Sequence, residues 1–481
     1  MKALRGAALI AAPTFFLLLF VVVAALRMPY PYELEWMEGG ALGHVGRVLA
    51  GSPLYVSPSL DFVPFIYTPL YFWVAAGASA LLGEGFFPLR LVSVLSTLGC
   101  CALLFLLARR EAASWRAGLL AAGLYAATFE ASGVWMDLAR VDALFMLCLL
   151  GGIYVARWSR GVVGLATAGG LLGLAFLTKQ PGLIVALPVV AWTVFAQRGA
   201  ARLAAPLAFA LVAGGGALAL HVVSGGWFTY YVFTLPGHHA LIPSAVLSFW
   251  SSGLLRPLGW AVLATGVFLV GARREQALFY ALVLVGLIGA SFVSRIHTGS
   301  YLNALMPAYA GLALGFALGV DAMQRWAEQQ GHRATAVLMV AVLVQFGALL
   351  YNPMRLVPTA EDRAAGDRLV EILRDVPGEV LVLSHPYLAE RVGKPPHAQE
   401  MALFDVWRGA PGDRDRIEAL IQRAIRDRRY GAIVLDEPWW GTPDDFDAHY
   451  RLAGPVFDRP RVFLPTTGYP SRPEYLYLRR D

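Results

Sequence analysis

The sequence predicts a polytopic α-helical membrane protein with a small C-terminal α/β soluble domain. Composition, the uneven placement of charge, and a series of apolar runs near bilayer length carry that expectation. Of 481 residues, 57% are hydrophobic and 15% charged, and mean hydropathy is +0.57. A soluble globular domain carries about 25% charged residues. Residues 355–481 hold 40 of the 72 charged side chains. That contrast sets a boundary near Pro353, between a membrane body (1–353) and a water-soluble tail (354–481).

The first apolar run, Ala7 to Leu26, follows Lys2 and Arg5 and could pass for a secretory leader. It is about long enough to span, and further spans follow, so it reads as a retained first transmembrane helix. Further apolar runs lie near 88–108, 117–135, 142–156, 162–177, 182–197, 203–222, 256–272, 276–293, 301–319 and 334–352. Together they predict about eleven transmembrane helices. The Gly/Ala-rich stretch Ala210–Leu220 suggests close helix packing there.

The run Phe65–Leu82, with Pro64, Pro69 and an aromatic-rich start, decides the topology. With this run lying in the interface rather than spanning, five basic loops share the N-terminal side. They carry Arg109/Arg110/Arg116, Arg157/Arg160, Arg198/Arg202, Arg273/Arg274 and Arg325/Arg333. The positive-inside tendency favours that arrangement. The expectation is a multi-pass protein of the bacterial inner (cell) membrane. Its N-terminus is cytoplasmic, its first outer loop is 27–87, and its C-terminal domain is extracytoplasmic.

Several classes are excluded on the same evidence. The net charge of +6 comes from short inter-span loops, not from one soluble basic face, so no nucleic-acid partner is expected. Cys100, Cys101 and Cys148 all lie in apolar runs and form no disulfide framework or thiolate site. The histidines, His238-His239 included, lack zinc spacing. Gly214-Gly-Gly216 lies in a span rather than after a strand, so no nucleotide-sugar donor is indicated.

Under this topology the outer face receives Glu33, Glu35, Glu38, Asp61, Glu84, Asp137, Arg140, Asp142, Lys179, Arg295 and His297. Charge at a span end either snorkels or lines a wet cavity. So many on one face predict a single polar cavity that opens outward and holds both carboxylates and cations.

Five segments then occur in a telling order: Tyr32-Glu33-Leu34-Glu35-Trp36-Met37-Glu38-Gly39-Gly40, Leu49-Ala50-Gly51-Ser52-Pro53-Leu54-Tyr55, Tyr67-Thr68-Pro69-Leu70-Tyr71-Phe72-Trp73, Arg140-Val141-Asp142 and Leu177-Thr178-Lys179-Gln180-Pro181-Gly182. The order resembles the GT-C superfamily of membrane glycosyltransferases. It is most similar to the PMT/ArnT-like (glycosyltransferase family 39-like) branch of protein O-mannosyltransferases and bacterial aminoarabinose transferases. The resemblance covers roughly residues 7–310. It implies an inverting enzyme that takes a sugar from a polyprenyl-phosphate donor in the bilayer. The acceptor hydroxyl belongs to a glycan, a lipid or a protein, which the sequence does not distinguish.

The resemblance also implies roles. A carboxylate in the first outer loop takes the acceptor's proton; Glu35 and Glu38 match the acidic pair, with Glu35 slightly favoured and Glu33 a third candidate. The sequence departs here from the adjacent Asp-Glu of many relatives. Cleaving the sugar–phosphate bond leaves charge that fixed cations must meet. Lys179 and Arg295 are the candidates for the phosphate, and Arg140 and Asp142 for holding cavity geometry. His297, Tyr301, Asn303 and Tyr67 are further substrate-facing candidates. The sequence establishes no cofactor; a divalent cation is the one open candidate, since Asp137 and Asp142 with Glu35 offer oxygens that suit it.

The tail predicts strands at Glu379–Ser384, Gly431–Asp436 and Tyr475–Leu478, and a helix at Arg414–Arg429. His385-Pro-Tyr387 and Gly393-Lys-Pro-Pro396 read as turns, with ligand contact the alternative. Two rival functions are a transporter or flippase of lipid-linked sugars and a non-catalytic membrane scaffold. Against the first, no pair of similar halves is visible; against the second, a scaffold gives no reason for Lys179 and the acidic loop to share a face.

Overall fold

Residues 2–409 and 411–480 are described by the structure, a computed structural model. Met1, Ala410 and Asp481 lie outside it. So do the side chains of residues 2–8 and 411, including Lys2 and Arg5 of the N-terminal topology signal.

The membrane body is built from helices joined by loops and turn-rich segments. It comprises α1 (Lys2–Arg27), α2 (Glu38–Leu49), α3 (Leu70–Leu82), α4 (Phe86–Ala112), α5 (Trp115–Ala127), α6 (Asp142–Trp158), α7 (Val162–Thr178) and α8 (Gly182–Ala196). There follow α9 (Ala201–Val223), α10 (Pro243–Gly271), α11 (Arg274–Arg295), α12 (Leu302–Gln330) and α13 (His332–Gly347). Six of these, α1, α4 and α9 to α12, are long and apolar enough to cross a membrane by length and composition. The protein is a multi-pass membrane protein. Helices α3 and α5 have 13 residues each, a rise of about 20 Å, shorter than a hydrocarbon core about 30 Å thick.

Helix α12 is the hub. Its apolar window is wholly buried, and α4, α5, α10, α11 and α13 pack around it. Small residues let the backbones close in: a Cβ at Gly319 would strike the Ala264 carbonyl of α10, and one at Gly169 of α7 would strike the Ala205 carbonyl of α9. The stretch Ala210–Leu220 passes through a π-helical turn, Ala210–Gly215, and packs closely on one side only. Ala213 is buried with Phe176 and Leu177 of α7, and a Cβ at Gly173 of α7 would come 3.2 Å from the Ala213 backbone nitrogen, whereas one at Gly214 would meet nothing within 4 Å.

A second difference matters more for the site. The apolar run expected to span 117–135 stops being helical at Ala127. The Thr128 and Ser132 hydroxyls donate to the Tyr125 and Phe129 carbonyls, and Gly133 and Val134 both take positive φ. Local side-chain bonding of this kind competes with helix. Residues 128–141 form instead a buried, turn-rich segment that carries Asp137 and Arg140 inward.

Beyond α13 the chain forms a mixed four-stranded sheet with helices. Its elements are α14 (Ala360–Asp375), β1 (Glu379–Val382), α15 (Glu400–Trp407), α16 (Pro411–Arg426), β2 (Tyr430–Leu435), β3 (Tyr450–Pro455) and β4 (Tyr475–Arg479). The order is β1-β2-β4-β3; β1 and β2 run parallel, and β4 is antiparallel to both its neighbours. The central strand β2 is buried at every position, as its unbroken apolar run requires. Helix α14, not anticipated from sequence, opens with a capping box between Thr359 and Asp362. Strand β3 was also not anticipated: Tyr450 is its one buried residue, so it lacks an apolar run.

This unit is bound to the first loop of the body at many points. Arg27 donates to the Leu356 carbonyl (2.5 Å) and to Thr466 (3.0 Å), and Tyr32 donates to Asp367 (2.6 Å). Arg429 pairs with Asp61 (2.6 Å), and the Ala398 amide donates to the Leu60 carbonyl (2.8 Å). One apolar core runs through both parts.

Candidate active site

Residues 28–37, which link α1 to α2, carry Glu33 and Glu35, and α2 opens with Glu38; the fold hands each of these three glutamates to a different partner. Glu33 takes the Gly39 amide (2.8 Å) and a short bond from His385 Nδ1. His385 Nε2 is bonded in turn to Asp436 (2.9 Å), beside Ser471. Burial alone would push His385 down; Asp436 and Glu33 outweigh it and hold its imidazolium well above the ordinary histidine range. This network ties the C-terminal unit to the first loop. The turn at His385 is thus a docking point.

Glu38, the first residue of α2, is wholly buried. It receives Arg90 through Nη2 (2.6 Å) and Nε (3.0 Å), and the Leu34 and Ala139 amides at 2.7 Å. Burial would raise its carboxyl, but Arg90 and those amides prevail and the net displacement is downward. Every bond it makes is structural, and it does not line the cavity described next.

Glu35 differs from both. It is also wholly buried, but among the described residues its only ion pair is the 3.3 Å contact of Oε2 with Arg140 Nη1, and Oε1 has no hydrogen-bond partner among them. Burial pushes the carboxyl up to about 8, against the pull of Arg140 and with the help of Glu38 and Glu33. Glu35 lines a cavity of about 870 Å³ between the body and the C-terminal unit.

The same cavity is lined by Tyr67, Arg140, Lys179, His297, Tyr301 and Asn303. Tyr67 organises the cations: its hydroxyl receives Arg140 Nη2 (3.0 Å), and Arg140 and Lys179 sit 5.5 and 5.9 Å from its ring centroid. Lys179, at the end of α7, donates to Asp142 Oδ1 (2.6 Å), which also receives Asn303 (3.0 Å). Asp142 therefore sits behind the cavity wall as the counter-ion of Lys179. Arg295, in the last turn of α11, is not on the wall, although Ser294 and His297 on either side are.

Asp137 is spent on Arg27, which grips it at 2.6 and 3.2 Å. Among the described residues no three His, Cys, Asp or Glu side chains group to hold a metal ion.

Sequence reasoning missed the far wall. Glu400, Phe404, Asp405, Arg408, Glu437, Trp440, Gly468 and Tyr469, all from the C-terminal unit, face the cavity. They come from separate loops and one short helix, with no spacing to mark them. The vicinal Trp439-Trp440 and the Thr466-Thr467-Gly468-Tyr469 turn were the available hints. That turn lies over the candidate base: the Thr467 amide and Thr466 hydroxyl donate to the Leu34 carbonyl (3.3 and 3.2 Å). Gly468 has φ +83°, and a Cβ on it would come 2.9 Å from Glu35 Cγ. Gly468→Ala is expected to displace the carboxylate. Misplacement on the 1 Å scale costs up to about 10²-fold in rate, so kcat should fall while a protease-accessibility profile stays native.

Residues 66–227 match the family described as Dolichyl-phosphate-mannose-protein mannosyltransferase. An undecaprenyl phosphate-α-4-amino-4-deoxy-L-arabinose arabinosyl transferase of Shewanella sediminis is 26% identical over 333 residues, 64% of this chain and 59% of that protein. In both comparisons the chain is similar to the PMT/ArnT-like glycosyltransferases. A protein of the same name as that relative, from Edwardsiella ictaluri, is 29% identical over 195 residues, 38% of this chain and 35% of that one. The chain thus spans less than two thirds of the length of these curated relatives. Among solved structures, ArnT from Cupriavidus metallidurans bound to undecaprenyl phosphate superposes with TM-score 0.61 at 13% identity, covering 97% of each chain. The Archaeoglobus fulgidus oligosaccharyltransferase in complex with Zn and sulfate gives 0.56 at 12% identity, over 87% of this chain and 67% of that one. These likenesses show a shared fold.

Proposed function

We propose that the protein transfers a sugar, with inversion, from a polyprenyl-phosphate donor to an acceptor hydroxyl at the outer face of a bacterial inner membrane. The observation that carries this reading is Glu35: a buried carboxylate with one oxygen unpartnered, facing a cavity that also holds Lys179. Relatives named as undecaprenyl-phosphate sugar transferases support the donor class. So do the apolar side chains Leu183, Ile184, Val232 and Val293 on the cavity wall, which suit a lipid chain.

In the reaction, Glu35 Oε1 takes the proton of the acceptor hydroxyl. The hydroxyl oxygen attacks the anomeric carbon from the face opposite the phosphate, and the carbon–oxygen bond to phosphate breaks. Charge develops on the lipid phosphate, where Lys179, with two N–H donors beyond the one given to Asp142, meets it. Arg140 holds Glu35 and Tyr67 in register. Glu38 and Asp142 act by positioning Arg90 and Lys179.

In this reading α1 and α4 to α13 make eleven crossings, and α2 and α3 lie at the outer interface. The cavity residues come from the end of α1, the start of α6 and the ends of α7 and α11, which that arrangement puts on one side. The opposite end of α4 carries Glu111, bonded to Arg157 (2.8 Å), Gln276 and Tyr280, among the basic loops assigned to the cytoplasm. The C-terminal unit is then extracytoplasmic, and a reporter fused after the last strand should signal from that side only.

The test is purified protein in lipid nanodiscs with undecaprenyl-phosphate sugars, scoring release of undecaprenyl phosphate. No release with any donor sugar would defeat the proposal. Lys179→Ala is expected to raise the donor KM by about tenfold or more, since charge-assisted bonds are worth about 1.5–3 kcal/mol, while the acceptor KM moves little.

A further inference from the structure

The wall contributed by the C-terminal unit has a chemistry of its own. Trp440 and Tyr469 present aromatic rings there, joined by Trp36 from the first loop of the body, and Glu400 and Glu437 present carboxylates. Trp36 and Tyr469 lie 5.7 Å apart, ring to ring. The Tyr469 hydroxyl donates to both oxygens of Glu437 (3.1 and 3.3 Å), and Tyr469 is 48% exposed. The buried indole N–H of Trp440 has no partner among the described residues.

Charge on this wall is unbalanced. Each arginine or lysine lining the cavity already has a carboxylate: Arg140 has Glu35, Lys179 has Asp142 and Arg408 has Asp405. Glu400 is bonded to the Ser384 hydroxyl (2.6 Å), and neither it nor Glu437 forms an ion pair among the described residues. A surface of this kind repels anions. It offers acceptors to hydroxyl protons and flat apolar faces. Neutral sugars present the complementary set, ring hydroxyls and C–H faces.

We infer that the cavity wall formed by Trp36, Trp440, Tyr469, Glu400 and Glu437 is an acceptor subsite for an uncharged carbohydrate, which places a sugar hydroxyl toward Glu35. This deepens the transferase reading and rests on it for the direction of transfer, but the binding itself does not require turnover. The Thr466–Tyr469 turn joins the two parts, since Gly468 abuts Glu35 and the next residue is Tyr469.

The experiment is saturation-transfer NMR on the full chain in nanodiscs, without donor. The probes are methyl glycosides of glucose, galactose, mannose and N-acetylglucosamine, with glucose 1-phosphate and a serine-containing hexapeptide as rivals. At least one methyl glycoside should bind and glucose 1-phosphate should bind more weakly. Trp440→Ala and the exposed-site change Glu437→Gln should each weaken that glycoside by about tenfold, the loss of about 1.4 kcal/mol. Saturation of the peptide alone, no glycoside binding, or glycoside binding indifferent to both changes would overturn the subsite. A protein that binds glycosides through these residues yet releases no undecaprenyl phosphate defeats the transferase reading and leaves the subsite standing. One that transfers sugar but ignores both substitutions defeats only the subsite.

Discussion

Glu35→Gln is expected to lower turnover by about 10²–10⁴-fold, the usual worth of a general base, with the fold and donor binding intact. Gln keeps the volume and can still accept from Arg140, but it cannot take a proton at Oε1. The pH profile supplies an independent check. Burial pushes the Glu35 carboxyl up to about 8, and the base must be deprotonated to act. Activity of the free enzyme should therefore rise as pH rises through that value, with kcat/KM levelling above it, and the variant should lose that limb. A profile flat from pH 6 to 9, or full turnover in Glu35→Gln, would remove the assignment. Glu38→Gln is the matched comparison: its carboxylate is spent on Arg90 and two amides, so its loss should appear first as reduced stability.

Arg90→Met should produce the largest structural effect. Arg90 is wholly buried in the first turns of α4, and besides Glu38 it bonds the Tyr30 and Tyr32 carbonyls at 2.6 Å each. Removing it leaves an uncompensated buried carboxylate and two carbonyls, a loss of about 3–5 kcal/mol. The expected outcome is a detergent-solubilised protein with markedly lower thermal midpoint and poor recovery. Adding Glu38→Gln to Arg90→Met should restore part of that stability, because the unpaired charge is then gone. If Arg90→Met unfolds at the wild-type temperature, the pair is not what holds the first loop to α4.

Several features of this architecture were legible in the residues. The apolar runs and the change in charge density at Pro353 mark membrane helices followed by a tail, because burying charge in lipid is too costly to leave unsignalled. The segments around Glu35, Tyr67, Arg140 and Lys179 carried the family likeness. Other features had no local signal. Glu33, Glu35 and Glu38 look alike in the sequence, and which one is left with a free oxygen depends on His385, Arg140 and Arg90, which are 352, 105 and 52 residues away. The end of α5 at Ala127 was hidden because residues 128–135 are apolar enough to continue a helix, while hydroxyl back-bonding and Gly133 end it. The carbohydrate-like wall was invisible because it is assembled from loops of the C-terminal unit.

The sequence by itself determined the solvent of each segment and therefore the class of fold: hydropathy is a local property, and a bilayer admits few backbone solutions. The division of labour among identical side chains was left to the tertiary structure. Whether a carboxylate is a strut or a base depends on which cations and amides come within about 3 Å, and only the packing of distant helices and loops brings them there.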